Sequence, residues 1–178
     1  MIVEPLSVHG AYVLRPEPRE DHRGFFARMY DRSIWEQHGL DPTITQCNAS
    51  FTKKKGTIRG LHFQRAPHEE TKVVRCTKGR IFDVVADARK DSPTYGTWAG
   101  VELTAENHAM LYVPKGCAHG LQTLEDESEV FYLVSTPFNK DADGGVRYSD
   151  PTFNVAWPLP PVDLSEKDMT LPFLADIA

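Results

Sequence analysis

The sequence predicts a mostly β fold, a jelly-roll barrel carrying a few short peripheral helices, and three observations point to it. Short apolar runs recur roughly every ten residues, the spacing of strands rather than of helical crossovers. The 13 prolines and 12 glycines fall between those runs as turn punctuation. No repeat, low-complexity tract or flexible linker interrupts the pattern, so the 178 residues read as one domain, 1–178, with a sizeable core.

Taken in order, the first predicted strands are 11–15 (Ala-Tyr-Val-Leu-Arg) and 24–30, which opens Gly-Phe-Phe. A helix is expected at 33–38, with Ser33 as its cap, Glu36 at the capping-box position and Gly39 ending it in the left-handed region. Strands follow at 57–63, 72–76 and 80–88, then at 98–103, 109–113, 119–124 and 128–135. After Pro158-Leu-Pro-Pro, the segment Asp163–Asp168 reads either as a short helical turn capped by Ser165 or as an extended tail.

Composition narrows the function. Apolar residues are 40% and charged residues 25%, close to globular averages, and the net charge of −5 argues against broad nucleic-acid or acidic-membrane surfaces. A local basic pocket for one small anion is compatible with it. Cys47, Cys76 and Cys117 are scattered, with no CxxC pair, so neither a disulfide framework nor a zinc knuckle is indicated. The N-terminus lacks a signal-peptide pattern, and no apolar run approaches the roughly 20 residues of a membrane span. A cytoplasmic protein is expected.

Two segments carry chemistry. In Arg59-Gly-Leu-His62-Phe-Gln64, strand alternation places His62 and Gln64 on one face and Leu61 and Phe63 on the other. In Pro114-Lys-Gly-Cys-Ala-His119-Gly, a turn hands the chain to a strand that begins with a histidine between small residues. Together they resemble the cupin pattern, Gly-x5-His-x-His followed by Pro-x-Gly-x2-His, matched by Gly56, His62, Pro114, Gly116 and His119. Gln64 stands where that pattern has a second metal-binding histidine. Without that imidazole the remaining set, His62, His119 and one of Glu69 and Glu70, is poor, and no metal or other cofactor is expected.

Two inward histidines without a metal suggest proton transfer near neutral pH. Lys72, Tyr132 and Asp168 are candidates to join them; read alone, they are equally a solvated strand end, a core aromatic and a surface cap. Arg59, on the same strand as His62, is the better anchor for a phosphate, with Arg23 a second candidate, while Lys53-Lys54-Lys55 reads as a solvated loop.

An ordered set of short stretches resembles the dTDP-4-dehydrorhamnose 3,5-epimerases. They are Arg23-Gly-Phe-Phe26, Gln46-x-Asn48, Arg59–Gln64, Lys72-Val-Val-Arg75 and Phe82-Asp83-Val84, continuing with Asp91–Gly96, Pro114–Gly120, Phe131-Tyr132 and Leu164–Asp168. The resemblance implies a cupin barrel and cofactor-independent epimerisation at C3 and C5 of a dTDP-4-keto-6-deoxyhexose. It implies His62 as general base oriented by Asp168, Lys72 stabilising the enolate and Tyr132 as the opposing acid. His119 and Asp83 would complete the polar pocket, Arg23 and Arg59 would hold the diphosphate, and Phe26, Gln46 and Asn48 would lie near the nucleoside. It further implies a homodimer in which the Arg23–Phe26 region reaches the neighbouring site. Two positions depart from the family pattern: Phe138 stands where many members have a tyrosine, and Arg28 where many have an acid near the base. They motivate an alternative, a C3-only epimerase or one with another nucleotide; a metal-dependent cupin enzyme and a non-catalytic sugar-nucleotide binder are the more distant readings.

Overall fold

The computed structural model describes residues 1–177. The mostly β class expected from the sequence is what the chain forms. Strands β1 (Ile2–Pro5), β2 (Tyr12–Arg15), β5 (Gln46–Thr52), β7 (Lys72–Lys78), β10 (Met110–Val113) and β12 (Ser128–Val134) make one sheet, in the order β1-β2-β10-β7-β12-β5. Strands β6 (Ile58–Gln64), β8 (Arg80–Asp87), β9 (Trp98–Thr104), β11 (Cys117–Thr123) and β13 (Asp143–Gly145) make the second, in the order β13-β6-β11-β8-β9. A separate hairpin pairs β3 (Arg19–Asp21) with β4 (Gly24–Phe26).

The sheets pack face to face because each strand alternates. On β8, Ile81 and Val85 face inward with Asp83 between them, while Val84 and Ala86 join an outer cluster with Leu61 and Phe63. On β7 and β12 the inward residues are Val74, Cys76 and Val130 at one end and Lys72 and Tyr132 at the other. The interior is therefore apolar at one end and polar towards its mouth. Helix α1 (Arg32–Gln37) and its flanks cover part of the outer face of the first sheet, through Trp35 and Leu40 on Leu14, Val73 and Met110.

Six elements differ from the sequence reading. The cap of α1 is Asp31, not Ser33: Asp31 is extended, and its Oδ1 accepts the N–H groups of Ser33 and Ile34. Gly39 does end the helix with a positive φ of 69°. The strand expected at 24–30 stops at Phe26, where the hairpin ends. β5 was not anticipated, because its alternation is inverted: polar Gln46 and Asn48 face a cavity, and Cys47, Ala49 and Phe51 face outward. β1, β3 and β13, also unanticipated, are short strands with little apolar signal, β1 and β13 at sheet edges and β3 in the hairpin.

Candidate active site

His62 and His119 are register partners on neighbouring strands β6 and β11, so both imidazoles enter the barrel side by side. Between them and Arg59 the register slips: His119 faces His62, but Leu121 faces Arg59, so β6 carries one extra residue. In a regular strand residues three apart point to opposite faces; the bulge lets Arg59 and His62 line the same cavity. Gly60 makes the bulge possible. Its φ is +108°, and a Cβ there would lie 2.6 Å from the His119 carbonyl oxygen and 2.7 Å from Gly120 Cα.

The C-terminal segment returns across this bulge. Thr57 bridges Asp163 in parallel, Ile58 N–H donates to the Asp163 carbonyl, and Gln122 pairs with Leu159 through both amide groups. α2 (Glu166–Thr170) then begins at Ser165, whose Oγ accepts the Asp168 N–H at 3.1 Å, so the capped-turn reading holds. That turn buries Asp168 against His62, with Oδ1 2.6 Å from Nε2 and Oδ2 accepting the Gly60 N–H at 3.3 Å. Burial pushes the Asp168 carboxyl up, but the hydrogen bond and charge of His62, with Gly60 and Ser165, outweigh it and hold the group below the ordinary carboxylate value. The ionised carboxylate accepts a hydrogen bond from Nε2–H, the tautomer that leaves Nδ1 free to take a proton.

A cavity of about 470 Å³ opens beside His62, lined by Arg59, Lys72, His119, Tyr132 and Asp168 among others. A smaller one of about 190 Å³ adjoins it and shares His62, Lys72, Tyr132 and Lys167. Gln46, Asn48 and Phe138 line this second chamber. Lys72 Nζ pairs with Glu70 Oε1 at 3.1 Å. Tyr132 is partly buried; desolvation, then the charge of Glu70, push its phenol above the ordinary value against the opposing pull of Arg59. Asp83 lies behind His119, Oδ1 2.8 Å from Nε2, and its other oxygen has no partner. Burial pushes that carboxyl up, against His119 and Lys72.

The chain thus brings together His62, Asp168, Lys72, Tyr132, Arg59, His119 and Asp83, with Gln46, Asn48 and Phe138 next door. It does not bring Arg23, Phe26 or Arg28 to either chamber. These lie in or just after the exposed hairpin, Arg23 forked onto Asp21 and Arg28 onto Asp31. Sequence reasoning missed Lys167 and Asp143, which line the chambers, and weighed Glu70 only as a metal ligand; the Ser-x-Lys-Asp turn was the available signal for Lys167. Gln64 is buried, donating to His68 and Pro137 carbonyls and Glu70 and accepting the Asn139 N–H, so it clamps the segment bearing Phe138. Among the described residues no three His, Cys, Asp or Glu side chains form a metal-binding group.

Known proteins resemble this chain over nearly its whole length. The profile of the dTDP-4-dehydrorhamnose 3,5-epimerases matches residues 5–176. The enzyme of that name from Sinorhizobium fredii is 39% identical over 178 residues, covering 99% of this chain and 91% of its own. The crystal structure of the Elizabethkingia anophelis enzyme superposes with a TM-score of 0.95 at 35% identity, covering 99% of this chain and 97% of that one. That of Bacillus anthracis, with TDP and PPi bound, gives 0.93 at 41% identity, covering 97% and 98%. Likeness of this extent in both sequence and backbone leaves one conclusion: the chain belongs to the dTDP-4-dehydrorhamnose 3,5-epimerase family.

Proposed function

We propose that this chain epimerises a dTDP-4-keto-6-deoxyhexose at C3 and C5 by proton transfer between its own side chains. The observation that carries the mechanism is the placement of base and acid on opposite walls: His62 belongs to the five-stranded sheet, Lys72 and Tyr132 to the six-stranded sheet facing it across the cavity. Inversion needs a proton removed from one face of the sugar and returned to the other.

The C4 ketone acidifies the neighbouring C–H bonds, yet an imidazole base is still roughly a dozen pKa units short, on the order of 15 kcal/mol. Nδ1 of His62 takes the proton, and Asp168 stabilises the imidazolium. Electrons delocalise onto the C4 oxygen, where the Lys72 ammonium offsets the charge; one such preorganised donor is worth about 3–4 kcal/mol. Tyr132, whose environment favours the protonated phenol, returns a proton to the opposite face. Solvent then recharges Tyr132 and discharges His62.

Arg59 binds the diphosphate: among the described residues its partners are the Thr52 hydroxyl and the Phe51 carbonyl, so no carboxylate neutralises it. Gln46, Asn48 and Phe138 border the nucleoside. The functional unit is a homodimer formed on the part of the outer sheet face that α1 leaves open, where Phe51 and Phe131 are exposed. The hairpin, with exposed Phe25 and Phe26, then carries Arg23 and Phe26 to the partner's site, with Arg28 beside them. Among the described residues no helix is long and apolar enough to cross a membrane, and three free thiols suit a cytoplasmic setting.

A second reading, epimerisation at C3 alone, is favoured by Phe138, which lines the smaller chamber without a hydroxyl. Incubation with dTDP-4-keto-6-deoxyglucose in D2O separates the two: deuterium is expected at both carbons and absent in His62→Ala, a loss of about 10²–10⁴-fold. Label at C3 alone would select the second reading, and label at neither would overturn both.

A further inference from the structure

Glu70 precedes β7 by two residues, and its side chain is 8% exposed. Oε1 pairs with Lys72 Nζ at 3.1 Å; Oε2 accepts from Gln64 Nε2 at 3.1 Å. The carboxylate therefore borders the smaller chamber beside Lys72, Tyr132 and Asn48 with both oxygens engaged. A buried ion pair contributes little net stability over apolar packing, so stability alone does not account for this one.

Its charge bears on two neighbours. It pairs with the Lys72 ammonium, and beside Tyr132 it disfavours the phenolate. Asp83 on β8 acts on Lys72, and Arg59 on β6 acts on Tyr132. His62 on β6, His119 on β11, Asp143 on β13 and Lys167 and Asp168 on α2 are the remaining charged or titratable groups around the two chambers. Among the described residues Glu70 is the acid paired with the lysine, and it lines the smaller chamber together with the phenol.

We propose that Glu70 is a positioning residue for the epimerisation, holding the Lys72 ammonium at the junction of the two chambers and keeping the proton on Tyr132 until the enolate takes it. This rests on the reading of Lys72 and Tyr132 given above. The ammonium is paired with Glu70; a full negative charge on the C4 oxygen competes for it, whereas a neutral ketone competes poorly. The pair thus discriminates the enolate from the ketone, which is what acceleration requires.

Glu70→Gln keeps the shape and the acceptor for Gln64 while removing the charge. Turnover measured from about pH 6 to 10.5 is expected to show the alkaline limb of kcat displaced downward by about one unit, with KM changed by less than about twofold. Above the limb that is about a tenfold fall in rate. Glu70→Asp, which retains the charge, is expected to keep the limb within about 0.3 units of wild type. A limb that stays in place in Glu70→Gln, whatever the change in melting temperature, overturns the proposal. Ultraviolet titration, with the Tyr132→Phe signal subtracted, needs no turnover: the Tyr132 phenol is expected to ionise about one unit lower in Glu70→Gln than in wild type. A phenol that ionises at the same pH in both also overturns it. Absence of turnover in wild type would sink the substrate assignment instead and leave the phenol titration to decide the role of Glu70.

Discussion

The His62–Asp168 and His119–Asp83 pairs use the same residue types on adjacent strands, at 2.6 and 2.8 Å, yet the two carboxyls are in opposite states of comfort. Asp168 has the Gly60 N–H on its second oxygen and the Ser165 hydroxyl beside it, and is held below the ordinary carboxylate value. Asp83 sits on the apolar stripe between Ile81 and Val85, wholly buried, with its second oxygen unpartnered, and is pushed up. The histidine on the first oxygen is common to both; the deeper burial of Asp83, and the Gly60 N–H and Ser165 hydroxyl beside Asp168, set the two carboxyls apart. In the proposed mechanism Asp168 stabilises an imidazolium, and Asp83 fixes the orientation of a ring.

The comparison can be broken in four ways, the largest effect first. Asp168→Asn is expected to slow deuterium exchange by about 10²–10⁴-fold, since the imidazolium loses its counter-charge. A fall below about threefold would make the two pairs equivalent. Gly60→Ala strikes the bulge beneath both pairs, and a strained backbone of that kind costs about 1–3 kcal/mol. Calorimetry should show it as a drop of roughly 2–4 °C for each kcal/mol, accompanied by lost exchange. An alanine variant with the melting point and rate of wild type would remove the bulge from the account.

Asp83→Asn is expected to keep activity within about tenfold of wild type. A loss matching that of Asp168→Asn would erase the distinction drawn here. The smallest effect is the pH dependence of stability, read as melting temperatures of wild type and both variants between about pH 3 and 7. Because the Asp168 value is depressed, its stabilisation is present above the unfolded value of about 3.9 and lost as pH falls through the folded one. The deficit of Asp168→Asn should shrink towards acid. Because the Asp83 value is raised, its contribution is present below about 3.9 and lost as pH rises through the folded value. Asp83→Asn should therefore gain on wild type as pH rises, the opposite slope.

Much of the site was legible one strand at a time. Alternation in Arg59–Gln64 correctly turned Leu61 and Phe63 to the outer cluster and His62 inward, and it left Tyr132 beside inward Val130. Phe138, Gln46 and Asn48, picked out by resemblance, line a common chamber. β5 escaped notice because its polar side is the buried one, the reverse of the usual pattern, and Arg59 reaches the cavity only through a register slip that alternation cannot foresee.

By itself the sequence determined the β class, the approximate strands, and which residues of each strand share a face, because alternation is a property of the local backbone. Tertiary structure alone brought Asp168 to His62 across 106 residues, put His62 and Tyr132 on opposite walls, and paired Glu70 with Lys72 in the chamber that Tyr132 lines. It also decided that Asp83 and Asp168 differ in charge preference, and that Arg23 and Phe26 lie away from the chambers of their own chain. Desolvation and charge coupling depend on distances through space, which only closure of the two sheets and the returning tail set.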